Sequence, residues 1–200
     1  MLNAGLKTRN RSVSSEDIKI DKLWDQSFPS YLGSYNCYDY VTSGQERTPQ
    51  QHSLRPSHPG LIGGLPVQRR RSNGQVGKGG LYSTSEFRDA LLKDGCIAAE
   101  CCDGMPKDIH GHYLIAAFLD NRPARPDYHF FRRDWGVWSH KFSNCSVSRV
   151  DASEKPILDP RKANLDYTRC IINGFKGNRD YAIFVGFFYV PSSGFSRIST

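Results

Sequence analysis

Apolar residues are unevenly spread along this chain, and the two longest apolar runs lie in its second half. His112-Tyr-Leu-Ile-Ala-Ala-Phe-Leu119 and Tyr181-Ala-Ile-Phe-Val-Gly-Phe-Phe-Tyr-Val190 are nearly continuous. Runs of that length and aromatic content predict central strands buried on both faces. Between them, Tyr128-His-Phe-Phe-Arg-Arg133 predicts a returning strand after a turn-rich connector over 121–126. Asp134-Trp-Gly-Val137 reads as a tight turn, and Trp138-Ser-His-Lys-Phe142 as a third strand. Residues 151–160 read as polar loop.

The first half carries helical signals. Ser83-Thr-Ser-Glu86 has the spacing of a capping box, followed by Phe87, Ala90 and Leu91 on one face and a stop at Gly95. Tyr35-Asn-Cys-Tyr-Asp-Tyr-Val41 predicts a short helix with Asn36 as its N-cap, ended by Thr42-Ser43-Gly44. Ile18, Ile20, Leu23 and Trp24 form a further short apolar pattern. Helices in the N-terminal half, followed by antiparallel strands, predict an α+β domain whose helices pack on a sheet from the C-terminal half.

Composition adds loops to this picture. Residues 1–17 are rich in Ser, Asn, Thr and Arg, with little to bury, and predict a flexible arm. A single domain is expected over 18–200, with a Pro- and Gly-rich loop at 45–80 long enough to be functional. The first residues contain no apolar segment of a Sec-type signal peptide. The expected location is therefore secreted without such a signal, into a host or target-cell cytoplasm, or otherwise cytoplasmic. No run reaches the roughly 20 apolar residues of a membrane helix, so no integral membrane segment is expected.

The net charge of +7 is dispersed. Its densest run, Arg69-Arg70-Arg71, comes without a nucleic-acid-binding motif, so no nucleic-acid partner is expected. Six cysteines stand at 37, 96, 101, 102, 145 and 170. Their spacing fits neither a disulfide framework nor a zinc site, even around Cys101, Cys102, His110 and His112, so neither metal nor cofactor is expected.

Candidate chemistry centres on Cys37. Helix-start N–H groups favour a thiolate and can stabilise an oxyanion, provided that a histidine reaches the sulfur. The same cysteine would serve equally as a small core residue. Asn36-Cys37-Tyr-Asp-Tyr-Val, His112-Tyr-Leu-Ile-Ala-Ala-Phe-Leu and Tyr128-His-Phe-Phe-Arg-Arg-Asp-Trp-Gly-Val-Trp-Ser-His140 follow one another in an order that resembles the papain-like superfamily of cysteine hydrolases, including its NlpC-type branch. The segments Asn36-Cys-Tyr-Asp-Tyr40 and Asp127-Tyr-His-Phe-Phe-Arg-Arg-Asp134 with Trp138-Ser-His-Lys141 also resemble uncharacterised bacterial toxin-linked proteins.

The resemblance implies a papain-like fold and attack by Cys37 on an amide bond of a protein or peptidoglycan substrate. The protein would then be a protease, a deamidase or transglutaminase, or a peptidoglycan amidase, acting as a secreted effector or toxin. Two pairings compete for the base and its orienting group. A hairpin centred near Asp134-Trp135 would set His129 opposite His140, and one centred near Pro123 would set His112 opposite Asp134. Strand parity separates His129 from Asp134. A non-enzymatic binding module or toxin accessory is the alternative function. The oligomeric state is left open.

Overall fold

The computed structural model describes residues 36–42, 59–60, 83–100, 104–122, 126–142, 145, 147–172 and 175–195. The expected arm, the apolar pattern at 18–24, most of the 45–80 loop, and Cys101 and Cys102 lie outside the described residues.

One six-stranded antiparallel sheet organises the molecule. Its strands are β1 (Ile97–Ala99), β2 (His112–Asp120), β3 (Asp127–Asp134), β4 (Val137–Lys141), β5 (Val147–Ser148) and β8 (Ile183–Pro191), in the order β1-β8-β2-β3-β4-β5. The two longest apolar runs became β2 and β8, each flanked by strands on both sides. A separate two-stranded ribbon is formed by β6 (Ile171–Ile172) and β7 (Phe175–Lys176).

Among the described residues, two short α-helices accompany the sheet. Helix α1 spans Cys37–Thr42 and α2 spans Thr84–Lys93. The capping box of α2 is formed as its sequence predicts: Ser83 Oγ accepts from the Glu86 amide, and the Glu86 carboxylate accepts from the Ser83 amide. Asn36 caps α1, its Oδ1 accepting from the amides of Tyr38 and Asp39, both at 2.9 Å.

The sheet separates two apolar clusters. On the first face, Tyr38, Tyr40 and Val41 of α1 and Phe87 and Leu91 of α2 pack on Tyr113, Ile115, Ala117, Phe130, Phe188 and Val190. On the second, Leu114, Ala116, Phe118, Phe131, Trp138 and Phe187 are covered by Ile157, Leu165, Tyr167 and Tyr181 from irregular segments. The period-2 alternation of strand side chains produces this partition.

The papain-like α+β arrangement expected from the sequence is therefore corrected. The described structure is mostly an antiparallel sheet with two short helices, not a helical half packed on a sheet. The physical reason lies in how short the helices are. α1 has six residues and α2 buries Phe87, Ala90 and Leu91, so neither supplies a broad apolar face. Among the described residues, the second face of the sheet is covered by irregular segments rather than by an α-helix.

Candidate functional site

Cys37 opens α1 and is 7% exposed. Its Sγ faces the Tyr128 carbonyl of β3 at 3.6 Å, as a weak donor. The β3–β4 register runs from Asp134↔Val137 to Phe131↔His140, so the thiol meets the strand just past the last of these pairs. Burial pushes the Cys37 thiol well above its ordinary range, and the carboxylates of Asp127 and Asp39 push it the same way. The amides of Cys37 and Phe130 act in the opposite sense, but less strongly. At neutral pH this site holds a neutral thiol.

The polar side chains near Cys37 stitch α1 to the sheet. Arg132 and Asp134 form a bidentate pair at 2.8 and 3.0 Å, with side chains 0% and 4% exposed. The Arg132 guanidinium also donates to the Tyr40 carbonyl at 3.4 Å and lies 3.7 Å from the centre of the Tyr113 ring. Tyr113 Oη donates to the Val41 carbonyl at 2.8 Å, and the Tyr40 and Ser139 hydroxyls share a 2.7 Å hydrogen bond. Lys141 is buried on this face. Its desolvation lowers its pKa, while Cys145, Cys37 and Asp39 act in the opposite direction.

The sequence assigns Arg132 and Lys141 no role at this site, yet both are buried here. Its available signal was parity, because Phe130, Arg132 and Asp134 share one face of β3.

His129 and His140 lie on the second face, among the aromatic rings. His129 stacks between Phe142, at 4.4 Å between centroids, and Tyr181, at 4.8 Å. His129 Nε2 and His140 Nδ1 are 2.9 Å apart, and His140 Nε2 is 3.0 Å from the Val150 carbonyl. A carbonyl only accepts, so His140 carries its proton on Nε2 and His129 donates to His140 Nδ1. Burial lowers both pKa values, that of His140 to about 4, and the neighbouring His140 adds to the effect on His129. Both rings are neutral at pH 7.

The structure thus brings His129 and His140 together, as one of the two expected pairings had it. It sets them diagonally, since His140 pairs with Phe131 in the ladder. It does not bring Cys37 into their cluster. The thiol belongs to the helix-bearing face and the imidazoles to the opposite one.

The other pairing is corrected outright. Leu114 pairs with Arg133, which leaves His112 on the second face and Asp134 on the first. Asp134 instead binds Arg132, and His112 Nδ1 lies 3.2 Å from the His110 carbonyl.

Among the described residues, no group of three or more His, Cys, Asp or Glu side chains could hold a metal. No described helix is long and apolar enough to cross a membrane.

The chain is 35% identical over 130 residues to insoluble matrix shell protein 1 of Ruditapes philippinarum, covering 64% of this chain and 70% of that protein. No family model matches the chain, and no solved structure does.

Proposed function

We infer that this chain, which belongs to the family of insoluble matrix shell protein 1, is a non-enzymatic binding module that works within an insoluble matrix. One observation carries the reading. Cys37, His129, His140 and Asp134 are committed to the scaffold and divided between the two faces of the sheet, and His112 stands apart from Cys37 and Asp134 at the start of β2. Cys37 is a buried neutral thiol under α1, Asp134 is consumed by Arg132, and His129 is enclosed by aromatic rings. A cysteine hydrolase needs a sulfur within reach of an imidazole and a substrate within reach of both. The matrix setting is carried over from the relative's name, and the net charge of +7 suits adhesion to an acidic matrix component.

The test has two arms. Recombinant chain is mixed with demineralised shell matrix and pelleted, and it is expected to sediment with the matrix, with Cys37→Ser sedimenting equally. In parallel, native protein is treated with iodoacetamide at neutral pH. The half-buried Cys145 and Cys170 are expected to react before the buried Cys37 and Cys96. Preferential labelling of Cys37, or matrix cleavage that Cys37→Ser abolishes, would overturn the binding-module reading in favour of the hydrolase.

A further inference from the structure

Trp135 stands at the tip of the β3–β4 hairpin, 64% exposed, with a φ of 46°. Gly136 follows with a φ of 82°. A two-residue hairpin turn with both central residues at positive φ is the type that selects Asn-Gly or Asp-Gly. A bulky residue in the first of these positions is a backbone outlier. Its exposure shows that core packing does not compensate for the strain. A residue that strains its turn and faces water is a candidate for function.

The surroundings indicate what the indole meets. Arg133 lies beside the turn, its Nη2 3.9 Å from the place a Cβ would occupy on Gly136. Arg133 Nη1 is bound to Asp108 Oδ1 at 2.8 Å, with the carboxylate side chain 67% exposed. The guanidinium is thus neutralised locally, although the whole chain is basic. A polyanion gains little at such a point. A pyranose ring fits better: its C–H face covers the indole, and its hydroxyls can donate to the carboxylate and accept from the guanidinium. The tip sits on a two-residue turn between paired strands, so little ordering entropy is lost on binding.

We propose that Trp135, on the hairpin turn beside the Arg133–Asp108 pair, is a stacking platform for the pyranose rings of a neutral polysaccharide. The proposal rests on the matrix-binding reading and adds, at this one point of the surface, a neutral ligand beside the acidic component that the net charge of +7 suits.

The experiment incubates the full chain with chitin particles, cellulose particles and heparin-agarose, and measures depletion from the supernatant. Depletion by chitin or cellulose that persists in 1 M salt is expected, with a partition ratio at least tenfold lower for Trp135→Asn and an intermediate value for Trp135→Phe. Asn accepts positive φ, so the thermal midpoint of Trp135→Asn should equal or exceed that of the parent, which separates lost binding from lost folding. Equal binding by Trp135→Asn would overturn the proposal. So would binding to heparin alone, abolished by salt. Sedimentation with demineralised matrix but with neither neutral polysaccharide would overturn the platform and leave the matrix reading standing. Polysaccharide binding without matrix sedimentation would do the reverse.

Discussion

Asp134→Ala is the sharpest test of the polar layer beneath α1. The substitution removes a carboxylate 4% exposed from a guanidinium 0% exposed. Arg132 cannot shed its proton and cannot reach solvent without opening the face beneath α1. Neither the Tyr40 carbonyl at 3.4 Å nor the Tyr113 ring at 3.7 Å carries a formal negative charge to replace the lost carboxylate. Breaking a buried pair in this way costs about 3–5 kcal/mol. A domain's whole stability is roughly 5–15 kcal/mol, so the loss is a large fraction of it.

At about 2–4 °C per kcal/mol for a chain of this size, the thermal midpoint should fall by roughly 10 °C. The double variant Arg132→Met with Asp134→Leu removes both charges and should return to within about 1–2 kcal/mol of the parent. Urea titration followed by tryptophan fluorescence reads both, because Trp138 is buried in the sheet. A single variant within about 1 kcal/mol of the parent would refute the argument. So would a double variant as unstable as the single.

The histidine pair should make stability acid-sensitive in a defined window. The His140 pKa is lowered from 6.5 to about 4, so between those values the unfolded chain binds a proton that the folded chain refuses. Stability should therefore be flat above pH 6.5 and fall by about 3 kcal/mol as pH drops toward 4, with His129 acting in the same direction. Asp120, Asp151, Asp159 and Asp166 all have lowered pKa values and act below that window. A urea midpoint unchanged between pH 7 and 4.5 would count against the neutral pair. Gly177 has a different constraint: an added Cβ would meet the Tyr167 carbonyl oxygen at 1.9 Å. Gly177→Ala should push the segment around Tyr167 off the second face and cost more than about 2 kcal/mol, read as a lower thermal midpoint.

Much of the sheet was legible because its strands are strongly patterned. The boundaries of β2, β3, β4 and β8 follow the apolar runs to within a few residues, and α2 follows its capping box. The two-residue strands β5, β6 and β7 were not legible, since so few residues establish no period. The layer architecture also escaped the sequence. Apolar residues such as Ile157, Leu165 and Tyr167 are scattered through polar loops, and only the folded chain shows that they cover the second face in place of helices.

The site was legible only as far as strand parity could survive an error in register. The β2–β3 hairpin is one residue out of the expected register, and that slip moved Asp134 to the face opposite His112. The β3–β4 hairpin is two residues out, and a slip of two keeps the face, so His129 and His140 still meet. Local pattern can place a histidine on a strand. It cannot choose between the two faces of that strand for a helix sixty or more residues upstream. Cys37 was assigned to the histidines by order along the chain, yet Tyr38, Tyr40 and Val41 carried α1 onto the face that Arg132 occupies. An arginine buried in the middle of a strand face is costly unless an anion and a ring receive it. Asp134 and Tyr113 are those partners, and with them the polar residues of this face hold α1 in place rather than serve Cys37.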